Sequence, residues 1–180
     1  MRPPKQFPPT AAPGPSRRRL LRAAARLAPA LLLVGCGFHL RGSTDLGFRT
    51  LYIQGPATSP FVIALERRIA ATTSTRIAPN AKTAQAVFTL LAEVQSQVPM
   101  AYNADGTVSQ YQLRYTVRYQ LATPQGRVLI APAEMTQTSN LSYSSGATLA
   151  KANESDLLYR GMRGELVDRL MFQLAAVRLN

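Results

Sequence analysis

The chain has one cysteine, one histidine and no tryptophan among its 180 residues. A single cysteine cannot form an internal disulfide, so no covalent cross-link holds the fold. A zinc site needs three or four ligands, and one thiol with one imidazole falls short. Acidic residues are also scarce, nine Asp and Glu against 21 Lys and Arg. They are scattered, with no pair arranged as acid and base. No glycine-rich phosphate loop, nucleophile elbow or HExxH helix occurs. Nor does any apolar run reach the roughly 20 residues that a membrane-crossing helix needs. Together these absences argue against an enzyme, a metal protein and a membrane-spanning chain.

What is present concentrates at the cysteine. Arg17, Arg18, Arg19, Arg22 and Arg26 precede nine uncharged residues, Leu27 to Gly35, and then comes Cys36. A basic segment followed by a short apolar one is the pattern of an export signal. Its last four residues, Leu33-Val34-Gly35-Cys36, form a bacterial lipobox. The thiol is the nucleophile that takes a diacylglyceryl group, and the small residues before it admit the signal peptidase. The stretch SRRRLLR, Ser16 to Arg22, also resembles a twin-arginine export signal, so either export route fits. Residues 1–35 are thus expected to be a lipoprotein signal, with Cys36 the lipidated first residue of a mature chain.

That division changes the charge. Seven of the basic residues and none of the acidic ones precede Cys36, which lowers the net charge from +12 to +5. Most of the basic excess that would suggest nucleic acid leaves with the signal. A value of +5 suits an anionic lipid surface or ligand.

Residues 36–47 carry glycines and little periodicity and are read as a lipidated tether. The segment 48–180 follows as one α+β domain. Phe48 to Gln54 is a short strand ended by Gly55-Pro56. Ser59-Pro60 opens an amphipathic helix over about 59 to 74, with serine as cap and proline at the first helical position. Ala86 to Val98 is rich in strand formers, and Asn103 to Gly106 supplies a turn. Then Tyr111, Leu113, Tyr115, Val117, Tyr119 and Leu121 alternate with Gln112, Arg114, Thr116, Arg118 and Gln120. Strict period two predicts a strand with one buried and one wet face. After Thr123-Pro124-Gln125-Gly126, Arg127 to Tyr143 forms a further strand, broken or edged at Pro132.

The last element is a long helix over Ala150 to Arg178. Leu158, Met162, Leu166, Leu170, Leu174 and Val177 make one apolar stripe. Asn153 or Ser155 is placed to cap it, and Gly161 and Gly164 are read as points of close backbone packing. The order β, α, β, β, β, α predicts a two-layer sandwich, both helices on one face of a mostly antiparallel four-stranded sheet. The other face, carrying Gln112, Arg114, Thr116 and Arg118, is left bare. His39, alone in the tether, has no partner for chemistry.

Three stretches carry a family resemblance: CGFHLRG at Cys36 to Gly42, ADGTVSQYQL at Ala104 to Leu113, and LAKANESDLLYRGMRGELVDRLMFQL at Leu149 to Leu174. In this order they are similar to the LPS-assembly lipoproteins, the LptE or rare lipoprotein B family. The resemblance implies a lipoprotein on the periplasmic face of the cell outer membrane, anchored in its inner leaflet by the diacylglycerol and N-acyl lipid on Cys36. It implies no other cofactor, no metal, no catalysis and no nucleic-acid partner. It further implies that the domain plugs the LptD outer-membrane β-barrel and assists insertion of lipopolysaccharide (LPS) into the outer leaflet. The bare residues Gln112, Arg114, Thr116 and Arg118 would then be barrel-facing. Lys151 matches a basic LPS-contact position at the entry to the last helix, whereas the central turn here, Ala104-Asp105-Gly106, lacks its basic residue. The alternative is a generic lipid-anchored envelope scaffold, for example one associated with peptidoglycan.

Overall fold

A computed structural model describes residues 45–143 and 148–179. The expected signal, Cys36 and His39 lie outside the described residues. The elements are strand β1 (Thr50–Gln54), helix α1 (Pro60–Thr72), strands β2 (Arg76–Ile77), β3 (Ala86–Tyr102), β4 (Val108–Ala122) and β5 (Val128–Ser142), and helix α2 (Thr148–Ala176). A short 3-10 turn, Ala81–Thr83, leads into β3.

Local chemistry sets the first helix. Ser59 Oγ accepts the Val62 N–H at 3.1 Å, and Pro60 occupies the first turn, where a missing N–H costs nothing. Phe61, Val62, Leu65 and Ile69 are buried on one side. Both hairpins close with the same device. Gly106 and Gly126 take positive φ, +81° and +90°, after turns whose N–H groups bond back to Asn103 and Thr123.

Among the described residues the sheet has five strands in the order β2-β1-β3-β4-β5, which corrects the four-stranded expectation. β1 runs parallel to both β2 and β3, while β3, β4 and β5 are antiparallel, so the sheet is mixed. The missed strand is only Arg76–Ile77, too short to show any period. Its parallel direction follows from the crossover through α1, which returns the chain to the end from which β1 started.

Alternation on β4 holds throughout. Leu113, Tyr115, Val117, Tyr119 and Leu121 are each fully buried beneath the helices. They join Phe88, Phe61, Leu65, Ile69, Leu166, Leu170 and Leu174 in one core. Each such side chain contributes on the order of 2 kcal/mol. Leu46, assigned from sequence to the tether, is 4% exposed and belongs to the same core. On β5 the register slips between Ile130 and Ala133, so Pro132 sits in a bulge on an edge strand, where it removes no ladder bond.

Two readings of α2 need correction. The helix begins at Thr148, so Asn153 and Ser155 lie inside it and do not cap it. Gly161 and Gly164 do not serve close packing among the described residues either, because a Cβ built at each would meet nothing there within 4 Å. Gly47 does require its bare backbone, since a Cβ there would fall on the Val177 carbonyl oxygen. Gly161→Ala and Gly164→Ala should therefore each stabilise the domain by up to about 1 kcal/mol, while Gly47→Ala should destabilise it. Urea unfolding of the three variants checks both signs.

Candidate functional site: the open face of the sheet

Directly opposite residues in an antiparallel pair share a face. The register therefore places Ala92, Val94, Ser96 and Val98 of β3 beside Arg118, Thr116, Arg114 and Gln112 of β4. These in turn lie beside Glu134, Thr136, Thr138 and Asn140 of β5. All twelve positions are exposed or half-buried. Gln112, Arg114, Thr116 and Arg118 are thus brought together on one open surface, as the alternation required.

The chemistry of this surface is mild. Thr116 and Thr136 hydroxyls bond across the strands at 3.0 Å, and Arg114 Nη2 reaches Gln112 Oε1 at 3.5 Å. Arg118 Nε stands 3.9 Å from Glu134 Oε2, an exposed pair worth little. On the β3 side the surface turns aliphatic, with Val94 52% and Val98 44% exposed. The face can hold a partner through hydrogen bonds and apolar contact.

The aliphatic border has a cause that the sequence did not show. A bulge at Leu91 shifts the register between Leu90 and Ala92. Phe88 and Leu90 before it face the helices, but after it the helix-facing positions are Glu93, Gln95 and Gln97, and the valines turn outward. Glu93 is the residue this inversion serves. Its Oε1 accepts the Phe61 N–H at 3.2 Å and the Tyr115 hydroxyl, and its Oε2 accepts the Ser59 hydroxyl. A carboxylate thus sits at the positive end of α1 and ties that helix to β3 and β4. Burial, then the hydrogen bond to Glu93 and its charge, push the Tyr115 phenol well above its ordinary range. Tyr119 and Tyr159 are raised too, chiefly by burial.

Lys151 lies elsewhere. It is in the first turn of α2, on the helix side of the sheet, and lines a shallow cleft of about 310 Å³ with Gln97, Leu141, Tyr143 and Asp156. Its Nζ is 2.8 Å from Glu154 Oε2, and its side chain is 22% exposed. The structure therefore does not join Lys151 to the open face. At the hairpin tip, the Thr107 hydroxyl and N–H both bond Asp105 Oδ1 and hold its carboxyl below the usual range, so that turn presents an anion. Among the described residues there is no group of three His, Cys, Asp or Glu able to hold a metal, and no helix is long and apolar enough to cross a membrane.

Comparison with known proteins gives this surface its context. The model of the family described as "LptE: Lipopolysaccharide-assembly" matches residues 48–174. The chain belongs to the LptE family. Curated LPS-assembly lipoproteins LptE of Photorhabdus laumondii and Pectobacterium atrosepticum are each 26% identical to it, over 89% of this chain and 88% of theirs. A solution structure of lipoprotein B from Nitrosomonas europaea superposes with a TM-score of 0.68 at 27% identity, covering 78% of this chain and 91% of that one. Rare lipoprotein B from Shewanella oneidensis shares the fold, with a TM-score of 0.62 at 21% identity over 71% and 94% of the two chains. Membership places the chain in a lipopolysaccharide-assembly family whose curated relatives are named LPS-assembly lipoproteins.

The raised tyrosines give a test of the core. Folding holds the protons of Tyr115, Tyr119 and Tyr159 above the ordinary value of 10.0, where the unfolded chain releases them. Their contribution to stability is intact below that pH and is lost as pH rises past it. A phenolate absorbance titration should show Tyr115, Tyr119 and Tyr159 ionising late. In Glu93→Gln, Tyr115 should titrate earlier. Ionisation of Tyr115, Tyr119 and Tyr159 at the ordinary value would contradict the packing described.

Proposed function

We propose that the domain seats inside the LptD barrel with its open sheet face toward the wall, held to the inner leaflet of the outer membrane by the lipid on Cys36. The observation that carries this reading is that both helices pack on one side of the sheet, leaving Gln112, Arg114, Thr116 and Arg118 uncovered. A partner surface that is itself polar and hydrated suits such a face, and barrel lumens are of that kind. Only Arg114, Arg118 and Glu134 are charged there, so few ions would be desolvated on docking.

LPS insertion into the outer leaflet is then assisted by contact and placement, without bond making. Lys151 is the candidate LPS contact. Its ammonium already faces Glu154, so a lipid phosphate there competes with that carboxylate for the same cation and binding is sensitive to salt. The scaffold reading shares the lipid anchor and the small fold but requires no barrel.

Purification of the lipidated protein from outer membranes tests these points together. The expected result is a large β-barrel recovered with the chain, an N-terminal Cys36 peptide carrying acyl groups, and less retained LPS in Lys151→Glu than in the parent. Peptidoglycan-associated proteins in place of a barrel would favour the scaffold. An unmodified Cys36 would remove the anchor, and equal LPS retention would place that contact elsewhere.

A further inference from the structure

Both outer strands of the long hairpins have free edges, and the two are managed differently. Beyond Thr89, where its pairing with β1 ends, β3 is interrupted by bulges at Leu91 and Met100, by the inward carboxylate of Glu93 and by Pro99. Such features discourage another strand from adding. On β5 the protection stops at the Pro132 bulge. From Ala133 to Ser142 the strand pairs with β4 at every position, and Glu134 is its only charge. Among the described residues nothing pairs with its other side. The Tyr143 N–H bonds inward to Ser109 O at 2.9 Å. Alternation then turns the N–H and C=O groups of Glu134, Thr136, Thr138 and Asn140 to the open edge.

We propose that this edge pairs with the same edge of a second copy, antiparallel, about a two-fold axis at Gln137. Thr136 then exchanges hydrogen bonds with Thr138 of the other copy, and Glu134 stands opposite Asn140, so no like charges meet. The helix above is built for the same axis. Gln137 already touches both Glu165, at 2.6 Å, and Arg169, at 3.4 Å. A two-fold there brings each Glu165 toward the other copy's Arg169. On the same flank of α2, Phe172 is 70% exposed and Gly161 leaves open backbone, an aromatic ring and a flat surface to receive it. The pairing goes beyond the barrel reading and does not depend on it, since a copy seated in a barrel is a single copy. It describes the chain before a barrel takes it up.

The test uses the full chain in detergent with Cys36→Ala, so that an introduced cysteine is the only thiol. Light scattering should give twice the 19.6 kDa monomer mass, and Gln137→Cys should form an inter-chain disulfide where Gln125→Cys does not. Arg169→Glu, which gathers four carboxylates at the axis, should yield monomer, and Glu165→Arg with Arg169→Glu should restore the dimer. Thr138→Pro removes only an outward N–H and should give a folded monomer by circular dichroism. A monomer at every concentration would overturn the proposal. So would a dimer indifferent to Arg169→Glu, or a double variant that fails to recover it while remaining folded.

Discussion

Leu113, Tyr115, Val117, Tyr119 and Leu121 leave water only because α1 and α2 both lie over the same side of the sheet. That one-sided burial is the constraint on which the rest of the molecule depends. Strand side chains alternate, so burying one set on β4 commits Gln112, Arg114, Thr116 and Arg118 to the other side. A slip of one residue would send tyrosines and leucines into solvent and arginines into the core, which fixes the register. The open face is therefore not a separate feature added to the fold. It is the complement of the core.

The helices must in turn be held where they are, and Glu93 does much of this for α1. Its carboxylate accepts a backbone N–H from the first turn of the helix, the hydroxyl of the capping Ser59, and the hydroxyl of Tyr115 from the neighbouring strand. Hydrogen bonds to a charged group are worth about 1.5–3 kcal/mol each in net terms. The bulge at Leu91 is what aims Glu93 inward, and its by-product is the aliphatic border of Val94 and Val98 on the open face. Packing on one side of β3 thus sets the surface chemistry of the other.

Much of this was legible in the sequence where the signal is periodic or capped. The alternation of β4, the Ser59-Pro60 helix start and the four-residue steps of α2 each rest on many residues agreeing. Elements specified by one or two residues were not legible. β2 is two residues in a parallel pairing set by the crossover, and no local pattern announces it. The Leu91 bulge inserts one residue into a run of good strand formers, and only the acidic Glu93 inside that run hinted at a changed face. Gly161 and Gly164 suggested close packing because that is a common use of helical glycine, but among the described residues nothing approaches them. Lys151 was correctly placed at the start of α2, yet its pairing with Glu154 depends on a rotamer that sequence does not specify.

The assignment to an LPS-assembly family and the bare sheet meet in one claim, that the open face is a contact surface in the envelope. Photo-crosslinking amino acids placed on the two faces of β4 in the lipidated protein in cells measure it directly. Probes at Arg114 and Arg118 should capture the outer-membrane barrel, whereas probes at Leu113 and Val117, buried under the helices, should not. Failure of Arg114 and Arg118 to give any barrel adduct, in protein that is lipidated and correctly localised, would contradict the account and return the open face to solvent.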